Sequence, residues 1–172
     1  MDPQADPHST LVAQFTMGPA QLKQALQGLS ESELDLREGE GWSIRQIVHH
    51  LADAEDLWRP FIRQALGCQP APFVMDWFFQ IPQAEWANAW HSAGRAIGPS
   101  LDLLDASRAF IVELVEAVPG ALEMSLAVRL PGGGEERGQV SDIIALQTRH
   151  ISEHIAEIRR ILAKGKPEED LR

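Results

Sequence analysis

Two histidines lie one helical turn apart near the end of the chain, in the segment RHISEH at residues 149–154. Residues four positions apart lie on the same face of a helix, so both imidazoles point in one direction. The isoleucines around them place that direction within or beside the buried face. Buried imidazoles need partners for their ring nitrogens, and a divalent cation is one such partner. His150 and His154 are therefore candidate metal ligands, and the alternative is a pair of core histidines that hydrogen-bond to other helices.

A second pair, His49 and His50, lies far upstream in another predicted helix. Adjacent helical residues point about 100° apart, so only one of the two can face the bundle squarely. The helical wheel places His49 on the solvent side with Arg45, and His50 near the edge of the apolar face. We therefore expect His50 to complete a three-nitrogen metal site with His150 and His154, which leaves coordination positions open for water or substrate.

Two carboxylates are candidates to support this site. Glu157 lies one turn beyond His154 and could orient a ligand imidazole or accept a proton, and the alternative is a solvated surface acid. Asp53 lies three residues after His50, but the wheel places it toward the solvent side, which weakens its claim. No catalytic residue is assigned from the sequence.

Hydrophobic periodicity predicts the helices that must position these residues. His49 and His50 lie on a helix that begins with the capping box SIRQ at residues 43–46 and ends at Gly67. The other pair lies on a last helix that begins after Ser141 and ends before Gly165. Further helices are predicted over residues 19–29, 83–96 and 100–118, which together give an all-α bundle with irregular connectors.

The remaining segments are predicted to be irregular. Residues 1–15 are expected to form a flexible arm before a single domain over residues 16–172. Residues 68–82 are rich in proline and aromatic residues, which indicates either a lid or simple core filling. Residues 122–130 alternate weakly between apolar and polar types and precede a Pro-Gly-Gly-Gly run, so they predict a short irregular hairpin.

Composition narrows the classes of partner. The formal net charge is -10 over 172 residues, and an acidic surface repels the phosphate backbone of nucleic acids. The single cysteine, Cys68, excludes an internal disulfide and favours a reducing compartment; we interpret it and the isolated His8 and His91 as incidental. No leader pattern and no apolar run of about 20 residues is present, so we expect a cytoplasmic protein without a nucleic-acid or membrane partner.

Residues 41–53, GWSIRQIVHHLAD, resemble the second-helix signature of the DinB/YfiT-like superfamily, and the spaced pair His150 and His154 resembles that superfamily's second half-site. The resemblance covers about residues 34–162. It implies a four-helix bundle in up-down-down-up order with His50, His150 and His154 as ligands of one divalent metal ion, zinc or nickel. It also implies a homodimer.

The resemblance leaves three functions open. Several relatives are described as S-transferases that use bacillithiol, mycothiol or glutathione, and others as metal-dependent hydrolases. The leading hypothesis is transfer of a low-molecular-weight thiol to an electrophilic small-molecule substrate, because no Cys, Ser or Lys is placed as an evident nucleophile and a metal-bound thiol loses its proton readily. The second is hydrolysis, with Glu157 or another acid as the base. The third is a non-catalytic bundle, in which the metal staples helices or the bundle binds a ligand or partner.

Overall fold

The computed structural model describes residues 7–67, 72–129 and 132–165. Within them the α-helices are, in chain order, α1 (Pro7–Leu26), α2 (Glu31–Leu34), α3 (Ile44–Gly67), α4 (Gln83–Ala89), α5 (Gly98–Ala117) and α6 (Val140–Gly165). The four long helices pack in a ring in the order α1, α6, α3, α5, so that each contacts two others. The predicted four-helix bundle is confirmed, and the two histidine-bearing helices, α3 and α6, are neighbours in it.

Helix α3 begins where its capping signal predicts. The Ser43 backbone N–H donates to Gln46 Oε1 at 3.0 Å, and the Gln46 N–H donates to Ser43 Oγ at 3.3 Å. Two of the free N–H groups at the helix start are thereby satisfied. This cap fixes the residue at which α3 begins. The direction in which each later histidine points around the helix then follows from its distance in sequence from that residue.

The first helix begins earlier than the sequence indicates. Helix α1 starts at Pro7, so the expected flexible arm is wrong for residues 7–15, whereas residues 1–6 lie outside the described part of the chain. Leu11, Val12 and Phe15 have helical spacing and pack into the core, where Phe15 is only 1% exposed. The sequence reading missed them because it took Pro19 as a helix start, and the structure places Pro19 inside α1.

Local backbone geometry explains why the remaining helix boundaries lie at residues other than the predicted ones. Helix α1 ends at Leu26 because Gly28 adopts a left-handed φ of 78°. Helix α5 begins at Gly98, because a proline is well tolerated in the first helical turn. Helix α6 begins at Val140, so Ser141, the expected cap, already lies inside the helix, and Asp142 accepts the Gln139 N–H there at 2.8 Å.

A small sheet covers one end of the bundle. Strands β2 (Ser125–Arg129) and β3 (Glu135–Gln139) pair antiparallel with Ser125 opposite Gln139, which confirms the predicted hairpin. A short strand that was not predicted, β1 (Phe73–Val74), pairs parallel to β2. Among the described residues, no helix has both the length and the apolar character to cross a bilayer. Cys68 lies outside the described residues.

Candidate metal centre

The bundle brings together the three histidines that the sequence singled out. His50 projects from α3, and His150 and His154 project from successive turns of α6. One ring nitrogen from each lies within 4.8 Å of the others, and the Nε2 atoms of His50 and His150 are 2.9 Å apart. The ring centroids are separated by 4.8 to 5.1 Å. This is a cluster of three nitrogen donors that could hold one metal ion.

Two neighbours fix the orientation of these rings. The Nδ1 atom of His154 lies 2.8 Å from Glu157 Oε2, so the other ring nitrogen stays available to the cluster. A carboxylate in that position orients an imidazole and strengthens it as a donor. The Trp42 ring packs edge-on against His50 with centroids 4.4 Å apart. The contact with His154 places Glu157 where it can orient a ligand imidazole, which is the role that the sequence suggested for it.

The surroundings keep two of the rings neutral. Burial, followed by the nearby His150 and His154, lowers the pKa of His50 to about 3. Burial, followed by His154 and Arg108, lowers the pKa of His150 to about 4. A metal ion binds the neutral imidazole, so neither ring has to lose a proton near neutral pH before it can coordinate.

The expectation that His49 faces solvent is wrong. His49 is 1% exposed, with Nδ1 2.8 Å from Ser100 Oγ and Nε2 3.3 Å from the Arg95 carbonyl oxygen. Burial lowers its pKa. The wheel assumes one buried face, whereas α3 packs against α5 as well as α6, so its polar side is also covered. His49 joins α3 to α5 and points away from the three-histidine cluster.

A cavity of about 210 Å³ adjoins the cluster, and His50 and His150 form part of its wall. Much of the rest of the wall is aromatic. It comes from α3 and the residues just before it, from α4 and the residue just after it, and from the connector for which the sequence left open a lid or core filling: Trp42, Trp58, Phe78, Phe79, Trp86 and Trp90. Such a site, apolar with a few polar groups, is typical of small-molecule binding. Within its described residues, 72–82, the aromatic connector therefore forms part of the wall of this cavity.

Asp53 lines this cavity, so its expected position on the solvent side is also wrong. The carboxyl group is partly buried. Burial raises its pKa to about 6, with Asp56 adding to the rise and Arg95 opposing it. The reason for the error is again the second covered face of α3. A carboxyl group that titrates near pH 6 can both donate and accept a proton near neutral pH.

Sequence reasoning missed a buried ion pair beside the site. Arg108 of α5 is 2% exposed and donates from Nε to Glu55 Oε1 at 2.7 Å, from Nη1 to the Phe15 carbonyl at 2.9 Å and from Nη2 to the Gln147 carbonyl at 2.9 Å. These four residues lie on α5, α3, α1 and α6, so one guanidinium joins all the long helices. The available signal was an arginine on a largely apolar helix together with the Gly18-Pro19 pair in α1.

Sequence comparison identifies a protein family and several relatives that this chain resembles. The family model described as the DinB superfamily matches residues 14–158. A Geobacillus kaustophilus protein named "Putative metal-dependent hydrolase GK0616" is 33% identical over 143 residues, which is 81% of this chain and 75% of that protein. A similarly named Bacillus licheniformis protein is 31% identical over 153 residues, or 86% of this chain and 81% of that protein.

Two solved structures share the fold. One is YfiT from Bacillus subtilis, which is described as having an unusual four-helix bundle topology. It superposes on this chain with a TM-score of 0.78 at 20% sequence identity, and the match covers 95% of this chain and 93% of the YfiT chain. The mycothiol-dependent maleylpyruvate isomerase superposes with a TM-score of 0.65 at 14% identity. That match covers 89% of this chain but 61% of the isomerase, so the isomerase contains further structure.

Proposed function

The chain belongs to the DinB superfamily, and from this membership we propose that it is a metal-dependent enzyme whose divalent ion is held by His50, His150 and His154. The observation that carries the proposal is the convergence of three imidazoles from two helices at the wall of an apolar cavity. A structural metal site is normally closed by a fourth protein ligand, whereas three ligands beside a cavity leave room for a reactant.

The donor set fits a divalent transition metal. Two nitrogens that bind one zinc ion at about 2.1 Å each lie about 3.4 Å apart in a tetrahedral arrangement. The observed spacings lie on both sides of this value, with 2.9 Å between the His50 and His150 Nε2 atoms and all three donor nitrogens within 4.8 Å of one another. Three imidazoles suit zinc, nickel, copper and iron, and we propose zinc or nickel. Glu157 would hold His154 with its free nitrogen toward the ion.

Residues of this chain would support the chemistry. When bound, the ion would lower the pKa of a thiol or water molecule and so supply a nucleophile near neutral pH. Asp53, with its pKa raised to about 6, could hold or release a proton at the cavity wall. The aromatic walls would exclude bulk water from the reactants.

We propose transfer of a low-molecular-weight thiol to an electrophilic small molecule as the reaction. The thiol proton passes to the Asp53 carboxylate or to solvent water, the sulfur forms a bond to the electrophilic carbon, and the bond from that carbon to the leaving group breaks as the group departs with its electron pair. One structural neighbour is mycothiol-dependent by name, which supports this choice. The described cavity wall includes no cysteine or lysine, and the Ser92 hydroxyl that lines it has no base within hydrogen-bond distance to activate it.

Hydrolysis is the second candidate, and the names of the curated relatives favour it. The two reactions differ in their need for a thiol. Zinc-loaded protein should convert 1-chloro-2,4-dinitrobenzene only when bacillithiol or glutathione is added, with release of chloride and formation of the thioether. Thiol-independent turnover of 4-nitrophenyl acetate, with no thioether formed from the first substrate, would instead support hydrolysis.

Metal binding is tested separately from turnover. Elemental analysis and isothermal titration with zinc and nickel should show one ion per chain for the wild type and for His91→Ala, which replaces an exposed histidine outside the cluster. His50→Ala, His150→Ala and His154→Ala should each lose stoichiometric binding. Binding that survives these three substitutions would refute the ligand assignment.

A further inference from the structure

One polar group in the cavity wall has no partner. Ser92 is 1% exposed, it lines the cavity beside the three-histidine cluster, and its Oγ makes no hydrogen bond within the described structure. Most buried polar groups in proteins have a hydrogen-bond partner, and leaving one unpaired costs about 1–3 kcal/mol. As placed, the Oγ is itself buried, and rotation about the Cα–Cβ bond would turn it toward a ligand in the cavity that Ser92 lines.

Backbone hydrogen bonds fix the position of Ser92 beside the cavity. After α4 ends, the Ser92 N–H donates to the Ala87 carbonyl at 2.9 Å and the His91 N–H donates to the Asn88 carbonyl at 3.0 Å. His91 adopts a left-handed φ of 53°, which completes a Schellman motif. The serine backbone N–H is therefore already satisfied, and its hydroxyl is the group that remains free.

The rest of the cavity indicates what the ligand is. A cavity of about 150 Å³ accommodates benzene, so about 210 Å³ suits a single substituted ring. The aromatic walls favour stacking against such a ring. The described lining contains no lysine or arginine and includes the Asp53 carboxyl, so an anionic substituent would find no side-chain counter-charge there. A neutral hydrogen-bond acceptor meets these conditions.

We propose that Ser92 determines specificity by donating a hydrogen bond to a neutral acceptor oxygen, such as a carbonyl or nitro oxygen, on a single-ring aromatic electrophile. The ring lies between the aromatic walls, and its reactive carbon faces His50 and His150. This inference rests on the proposed function, because it takes the three-histidine end of the cavity as the reacting end. Ser92 binds the substrate in this arrangement and takes no part in bond making.

The test compares two probes that differ in the acceptor. Acetophenone carries a carbonyl oxygen, and ethylbenzene is similar in size without one. Four of the five tryptophans line the cavity, so their indole N–H signals in a nitrogen-15 NMR titration report both location and affinity: Trp42, Trp58, Trp86 and Trp90. Wild type should bind acetophenone more tightly by roughly 2- to 12-fold, the value of one hydrogen bond.

Three variants make the result decisive. Ser92→Ala should bring the two affinities to parity by weakening acetophenone binding, and Ser92→Thr, which keeps a hydroxyl, should retain the preference. Ser107→Ala is the matched control, because Ser107 is the other buried hydroxyl without a partner in the described part of the chain but does not line this cavity; it should change neither affinity.

Two results would overturn the inference. One is an unchanged preference in Ser92→Ala, which would mean that the hydroxyl does not bind the acceptor oxygen of the probe. The other is the absence of any shift in the four indole signals with either probe. The titration needs neither metal nor turnover, so it can fail while metal binding succeeds, and it can succeed while metal binding fails.

Discussion

Acidification should destabilise the metal-free protein, and His50 should account for a defined part of the loss. The pKa of His50 is about 3 in the folded chain, because burial opposes its charged form, whereas an unfolded histidine has a pKa of about 6.5. Between these two pH values the unfolded chain binds a proton that the folded chain does not. Stability is therefore lost as the pH falls below about 6.5, and the loss is complete near the folded pKa.

The magnitude follows from these two pKa values. At pH 5 an ordinary histidine is almost fully protonated in the unfolded chain, which favours unfolding by about 2 kcal/mol relative to pH 7. His150, with a folded pKa of about 4, adds a similar amount. Asp53 opposes them by less than about 1 kcal/mol, because its raised pKa of about 6 means that the folded chain takes up a proton in the same range, and its partial exposure to solvent screens the effect.

A comparison between variants isolates the His50 contribution. Urea unfolding with a chelator present should show that wild type loses about 2 kcal/mol more stability between pH 7 and pH 5 than His50→Ala does. Leu57→Ala serves as the control, because it removes an apolar side chain from the same helix and cavity wall and should lose as much as wild type does. Equal losses in wild type and His50→Ala would refute the burial argument for this ring.

Three further changes have expected outcomes. Gly18→Ala should lower the free energy of unfolding by about 1–3 kcal/mol in urea titrations, because a Cβ at this position would overlap the Arg108 guanidinium. His91→Gly should raise it by about 0.5–1 kcal/mol, since glycine adopts the left-handed φ of 53° without the steric cost of a side chain. Glu157→Ala should weaken zinc binding by about 10- to 100-fold in calorimetric titrations, whereas Glu153→Ala, an exposed neighbour on α6, should leave it unchanged.

The three-histidine cluster could be predicted because helical geometry determines most of it. The spacing of His150 and His154 fixes their common direction whatever the helix packs against. The capping box at Ser43 fixes where α3 begins, and therefore the direction around the helix axis in which His50 points. What the sequence could not establish is that α3 and α6 are neighbours, because this depends on the order of helices around the bundle.

The errors at His49 and Asp53 have one physical cause. A helical wheel divides a helix into one buried and one solvent face, which describes a helix at the surface of a core. Helix α3 instead has covered faces on two sides, and its polar residues are satisfied by partners distant in sequence, such as Ser100 for His49. Ser92 was beyond prediction for a related reason, since its burial depends on the irregular turn after α4.

The missed start of α1 shows how a local rule is overridden. Proline has no N–H, so Pro19 leaves the Phe15 carbonyl without its usual helical donor, and such a position normally ends or kinks a helix. Arg108 supplies the missing donor from Nη1 at 2.9 Å, and Gly18 leaves the space that the guanidinium needs. Pro19, Gly18 and Arg108 therefore act together. Hydrophobic periodicity could not reveal this, because Arg108 lies far in sequence from the other two residues.

The same arginine connects the bundle core to the candidate metal centre. Its bonds reach Glu55, five residues after His50 on α3, and the carbonyl of Gln147, three residues before His150 on α6. A buried ion pair adds little net stability, because removing both charges from water is costly, but losing one partner costs about 3–5 kcal/mol. Because Arg108 contacts α3 and α6 together, a slide of α6 along α3 would break one of these hydrogen bonds as well as separate the imidazoles. The convergence of the three histidines therefore depends on the packing of the bundle core as well as on the site itself.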